Sequence, residues 1–157
     1  MLTAEAKKLL TTDHPGTTLI ITIGNNLRSD DGVGPFIAQN SSKLKTGLVL
    51  LNAGEKPENI IDEAVEKKPS RVIIIDAANF GGTVGEVKVI DSEHIPNTTL
   101  STHTFPLKVI AKLLETDCQA PVHFLGIQPQ SVELGENLSA EVKAAANEII
   151  NLIGGGK

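Results

Sequence analysis

Two stretches of branched apolar residues, Leu19-Ile20-Ile21-Thr22-Ile23 and Val72-Ile73-Ile74-Ile75, set the first constraint on this chain. Runs of this kind read as strands buried on both faces, the pattern of a parallel sheet covered by helices on either side. Each run leads into acid. The first is followed by Gly24-Asn25-Asn26-Leu27-Arg28-Ser29-Asp30-Asp31-Gly32-Val33-Gly34-Pro35, and the second ends directly on Asp76. Carboxylates in glycine-flanked turns at the C-terminal ends of buried strands stand where open α/β sheets place their ligands.

The remaining pattern fills in the layers. A short amphipathic helix is predicted over residues 3–12, stopped by His14-Pro15-Gly16. From Pro35, the residues Phe36, Ile37, Ala38 and Leu44 recur at helical spacing, with a stop near Thr46-Gly47. Leu48-Val49-Leu50-Leu51 reads as a second strand with a turn at Asn52-Ala53-Gly54. Ile60, Ile61, Ala64 and Val65 mark a helix opened by Pro57-Glu58 and closed before Pro69. Gly85 to Ile90 alternates polar with apolar residues, as an antiparallel or edge strand does. A helix follows Phe105-Pro106-Leu107 to about Glu115, and Val122 to Ile127 is the last strand. Ser139 is placed to cap a final helix, Ala140 to Ile153, with Ala144, Ile149, Leu152 and Ile153 on its apolar side. Strands alternating with helices give an α/β fold, a three-layer α/β/α sandwich with a mostly parallel sheet. The 157 residues are expected to form a single domain, with 154–157 as a frayed tail.

Composition narrows the function classes. With four Phe and no Trp or Tyr, the core must be built from Ile, Leu, Val and Ala. The formal charge of −5, without a run of Lys or Arg, argues against a nucleic-acid partner. No apolar run approaches the ~20 residues of a membrane span, and the N-terminus lacks the layout of a signal peptide, so a cytoplasmic protein without membrane insertion is expected. The single cysteine, Cys118, cannot form an internal disulfide and reads as an inert residue near a helix end.

If the first three strands take the doubly wound order 2-1-3, a crevice opens between the C-terminal ends of strands one and three. Asp31 and Asp76 then face each other across it, and the loop Ser101-Thr102-His103-Thr104 supplies an imidazole. Two carboxylates and one imidazole suit a hard or borderline divalent cation, and three protein ligands leave positions open. Each residue alone has an ordinary explanation. Asp31 can stabilise a helix start by ~0.3–1 kcal/mol, Asp76 can form a turn, and His103 can cap the helix near Pro106. Their joint placement at three loops on one sheet edge favours function. Asp30 is expected to face solvent or to brace the loop through backbone amides. Gly24, Gly32 and Gly34 do not match a Gly-x-Gly-x-x-Gly dinucleotide loop, and two aspartates would repel a pyrophosphate. His14 and His94 fall in polar turns, His123 reads as a core histidine, and no Gly-x-Ser-x-Gly elbow exists.

Gly24-Asn25, Leu27 and Asp30-Asp31-Gly32-Val33-Gly34 resemble the opening motif of the [NiFe]-hydrogenase maturation endopeptidases. The resemblance continues through Gly54 with Pro57-Glu58-Asn59, Ile75-Asp76-Ala77, Gly81-Gly82 with Gly85-Glu86-Val87, and Ser101-Thr102-His103 with Pro106-Leu107. It closes on Phe124-Leu125-Gly126-Ile127-Gln128-Pro129, a block closest to the branch serving formate-hydrogenlyase-type and other multisubunit or cofactor-reducing hydrogenases. Residues 1–16 stand outside these blocks as an N-terminal extension, and Asn52 stands where many relatives carry an acid.

The resemblance implies a five-stranded mixed sheet of order 2-1-3-5-4 with strand four antiparallel. It also implies removal of a C-terminal extension from a hydrogenase large-subunit precursor after nickel insertion. Nickel is then presented by the precursor, no organic cofactor is needed, and the enzyme is expected to be a monomer. Carried over by motif, the nickel-contacting residues are Asp31, Asp76 and His103. Asp31 and Asp76 are also the candidate catalytic pair, with Gly24, Asn25, Asp30 and Gly32 supporting the loop. A generic metal-dependent peptidase or amidase, and a non-catalytic nickel-sensing chaperone, are the alternatives.

Overall fold

The computed structural model describes residues 1–95 and 106–155. In them five strands form one sheet: β1 (Thr18–Ile23), β2 (Leu48–Gly54), β3 (Arg71–Ala77), β4 (Val87–Ile90) and β5 (Val122–Ile127). The order is β2-β1-β3-β5-β4, with β4 antiparallel to β5 and the other pairs parallel. The expected α/β/α architecture and strand order are both borne out.

The helices are α1 (Ala4–Thr11), α2 (Val33–Gln39), α3 (Ile61–Glu66), α4 (Leu107–Cys118) and α5 (Ala140–Ile153). Side chains alternate across the central strands and divide the core in two. Ile20, Ile73, Ile75 and Leu125 pack with Ala6, Ile37 and Ile149 of α1, α2 and α5. Leu19, Ile21, Ile74 and Phe124 pack with Ala64, Ile110 and Leu114 of α3 and α4. Every residue of β1 and β3 is buried, which is why those strands read as unbroken apolar runs.

Three expectations need correction. The second helix does not reach Thr46 but stops at Gln39. Asn40 Nδ2 donates to the Phe36 carbonyl at 2.8 Å and Ser41 Oγ to the Ile37 carbonyl at 2.6 Å, and local bonds of this kind compete with helix continuation. Leu44 still packs on the core from the connecting segment. The second strand runs through Asn52-Ala53 to Gly54 instead of turning there, because Ile23 of β1 continues to pair with it. On α5, Ala144 is exposed, and Val142, Ala145 and Ala146 fill the buried face instead.

Residues 1–16, unassigned by the motif blocks, are integral to packing. Thr3 caps α1 by accepting a bond from the Ala6 amide, and Ala6 and Leu10 are buried in the core. Leu2 bridges to Val87, so the N-terminal segment covers the free side of the β4 edge. In the tail, Gly154 donates to the Ile150 carbonyl, and Gly156 and Lys157 lie outside the described residues. Among the described residues no helix is long and apolar enough to cross a membrane.

Candidate active site

The connection from β1 to α2 is a stitched turn. Gly24 has φ +148°, and a Cβ there would collide with the carbonyl oxygen of Asp31, so only glycine fits the crossing. Gly34 brings α2 so close to β1 that a Cβ would strike the Ile23 carbonyl. Between them, Ser29–Gly32 forms a 3-10 turn that carries Asp30 and Asp31 and packs against β3.

Asp31 is fully buried. Its Oδ2 accepts from the Asn25 amide at 3.0 Å, and its carbonyl takes the same amide at 3.1 Å. Asn25 in turn donates from Nδ2 to Glu55 Oε1 at 2.7 Å and accepts from the Leu27 amide at 2.9 Å. Both ends of the Asn25 side chain are therefore engaged, and the turn that presents Asp31 is held from within and from the β2 side.

Asp30 points the other way and is also buried, so the solvent-facing alternative is overturned. Its Oδ2 accepts from the Gln130 amide at 2.8 Å and from Ser139 Oγ at 2.9 Å, while Oδ1 accepts from the Ser139 amide at 2.7 Å. The Asp30 amide donates to the Ser131 carbonyl at 3.0 Å. This carboxylate locks the first turn to the β5–α5 connection, over a hundred residues away in sequence. Ser139 sits at the α5 cap position but makes no side-chain cap bond, because its hydroxyl goes to the charged acceptor, which forms the stronger bond.

Ser29 opens the 3-10 turn at φ +52°, a left-handed conformation that costs a residue with a side chain roughly 1 kcal/mol. Its amide donates to the Gly135 carbonyl at 2.7 Å and its Oγ to the Glu133 carbonyl at 2.8 Å, so the same connection holds this strained residue.

Asp76 is the penultimate residue of β3, 1% exposed, and paired with Gly126 of β5. Its Oδ1 accepts from the Ala77 amide at 2.8 Å. The loop that follows is clamped by Gln128, a residue that stood in the motif blocks without an assigned role. Gln128 Oε1 accepts from the amides of Phe80 at 2.9 Å and Gly82 at 3.1 Å, and Nε2 donates to Asn79 Oδ1 at 3.0 Å. The signal was a polar residue directly after the buried run of β5 and before Pro129.

Strands β1 and β3 are neighbours, so Asp31 and Asp76 share one end of the sheet on adjacent elements. His103 lies outside the described residues, and among the described residues no group of three or more His, Cys, Asp or Glu is placed to hold a metal. Asp31 and Asp76 are both buried, and a buried carboxylate needs hydrogen-bond donors or a cation to offset its loss of water.

Comparison with known proteins then decides the class. The HycI profile, described as hydrogenase maturation protease, matches residues 38–155. The chain belongs to the hydrogenase maturation protease family. It is 32% identical to the Hydrogenase 3 maturation protease of Escherichia coli K12 over 141 residues, covering 88% of this chain and 90% of that one. The crystal structure of the HycI maturation protease from Thermococcus kodakarensis superposes with a TM-score of 0.78 at 31% identity, over 88% of this chain and 90% of the other. The solution structure of the endopeptidase HycI from Escherichia coli gives the same TM-score of 0.78, identity of 31% and coverage of 88% and 90%. This hydrogenase maturation protease is accordingly an endopeptidase. The profile match begins after the Asp30-Asp31 turn and includes the positions of Asp76 and His103.

Proposed function

We propose that this endopeptidase removes a C-terminal extension from the large-subunit precursor of a [NiFe]-hydrogenase, after nickel has been installed in that precursor. The observation that carries the reading is the pair of buried carboxylates, Asp31 and Asp76, on adjacent strand ends in a chain of this family. A cation arriving with the substrate would offset the cost of holding two buried negative charges at one end of the sheet, so the site is complete when a metal-loaded precursor is bound. Asp31, Asp76 and His103 are the residues proposed to meet that nickel. Carboxylate and imidazole ligands suit a borderline divalent ion held partly by another molecule.

In the cleavage step a water oxygen attacks the scissile carbonyl carbon. One of the two carboxylates takes the water's proton and returns it to the leaving amide nitrogen as the C–N bond breaks. Asp30 and Gln128 hold the two loops that present the pair, and neither touches the reacting atoms in this reading.

The test mixes the purified protein with purified precursor, nickel-loaded or nickel-free, and follows the mass of the large subunit. Loss of the extension from the loaded form alone supports the proposal. Cleavage of both forms, or of unrelated peptides, turns the reading to a generic peptidase. Binding without cleavage turns it to a nickel-sensing chaperone.

A further inference from the structure

The opposite end of the sheet holds a second constellation that the proposed reaction does not use. Arg71 opens β3 and is 8% exposed, yet among the described residues no Asp or Glu forms an ion pair with it. Its one hydrogen bond among these residues runs from Nε to Thr18 Oγ1 at 3.2 Å. A guanidinium offers five N–H donors in a fixed fork, so the described residues take up only a small part of its donor capacity. Arg71 lines a cavity of about 310 Å³ beneath α1, together with Lys8, His14 and His123.

Four nitrogen-bearing side chains therefore line this cavity from α1, the α1–β1 connection, β3 and β5, and His14 Nε2 lies 3.4 Å from the Ser70 carbonyl, which leaves its Nδ1 as the ring nitrogen without that contact. Glu5 is exposed and lines the same cavity, and it is the acid that opposes them. Asp91 and Glu93 line an adjoining cavity of about 420 Å³ that shares Val89 and His123 with the first. Leu9 and Val89 add apolar wall. Burial holds the His123 imidazole below its ordinary pKa, and the charges of Arg71 and His14 lower it further, with Glu5 acting the other way. Among the described residues Arg71 and Lys8 are the cations of this lining and Glu5 is its one acid.

We propose that this cavity binds a phosphate group. Donors approaching from several directions suit a tetrahedral oxyanion better than a flat carboxylate with two oxygens, and the Arg fork matches paired phosphate oxygens. A water occupies about 30 Å³ of liquid, so the cavity has room for more than the ion itself. The apolar wall of Leu9 and Val89 would receive the organic part of a phosphomonoester.

The test is calorimetric titration of the full-length protein near pH 7 with inorganic phosphate, against chloride at matched ionic strength. The imidazole resonances of His14 and His123 are followed in parallel by NMR. Saturable binding is expected, with both imidazoles shifting together and the His123 pKa rising towards its ordinary value. Arg71→Gln should weaken binding ~10-fold or more, as expected for losing hydrogen bonds to a charged group. If that variant does not fold, a double substitution, Lys8→Gln with His14→Gln, supplies the same comparison and should also weaken binding. Tighter binding of glycerol phosphate than of inorganic phosphate assigns the site to an ester, and the reverse order assigns it to the free ion. No saturable binding beyond the chloride control by either probe, or affinity unchanged in the variants, overturns the proposal.

Discussion

At the C-terminal ends of β1 and β3 the sheet presents Asp31 and Asp76, with Asp30 tied into the neighbouring loop; at the N-terminal ends it presents Arg71, ringed by His14, His123 and Lys8. The carboxylates are held by donors from the turns themselves, the amides of Asn25, Ala77, Gln130 and Ser139. Among the described residues the guanidinium makes one hydrogen bond, to Thr18 Oγ1. The first end lies at the reversal of strand order between β1 and β3, where open α/β sheets place their ligands. The second end opens into a cavity of about 310 Å³ lined on one side by Glu5, Lys8 and Leu9 of α1. One sheet thus separates acidic chemistry from a basic pocket, and substitutions at the two ends should have separable effects.

The largest expected effect is at the acidic end. Asp31→Asn and Asp76→Asn should each reduce precursor cleavage by ~10²–10⁴-fold, the usual contribution of general acid–base catalysis, while circular dichroism stays that of the folded protein. Arg71→Gln should leave cleavage within a few-fold of the parent. If Arg71→Gln abolished cleavage in a folded protein, the two ends would not be independent.

Next is Asp30. Its replacement by Ala removes the acceptor of the Gln130 and Ser139 amides and of the Ser139 hydroxyl, in part-buried bonds to a charged group, and should destabilise the fold by about 1–3 kcal/mol in urea titrations. Loss of cleavage should follow loss of structure and recover at lower temperature, unlike the loss in Asp31→Asn. Gln128→Ala should cost ~1–3 kcal/mol by leaving the Phe80 and Gly82 amides without their acceptor. It should slow cleavage less than Asp76→Asn, because it only loosens the loop beyond Asp76.

The smallest effect is at Cys118, the last residue of α4. Burial raises its thiol pKa and the neighbouring Asp117 raises it further, so little thiolate is present at neutral pH. Alkylating reagents should react with it slowly, and Cys118→Ser should leave cleavage unchanged. Fast alkylation at pH 7 would contradict this assignment.

Much of this was legible in the chain. The runs at Leu19–Ile23 and Val72–Ile75 announced two buried strands, and the alternation before Ile90 announced the antiparallel edge. The positions of Asp31 and Asp76 followed from those strands and the family motif. The early end of α2 was not legible, because the side chains of Asn40 and Ser41 outbid the helical periodicity that Leu44 suggested. Nor was the Asp30–Ser139 tie, which joins residues distant in sequence through a hydroxyl that looked like an ordinary helix cap. His123 resembled a core histidine because its strand is apolar. Its half-buried position at the cavity edge depends on where α1 lies, and that is a tertiary fact.

The most direct measurement of the central claim is precursor cleavage by the parent protein and by Asp76→Asn, with nickel-loaded and nickel-free large subunit, read by intact mass. The account predicts loss of the C-terminal extension only in the reaction of the parent with the loaded precursor. Equal processing of the loaded precursor by a folded Asp76→Asn protein would contradict it.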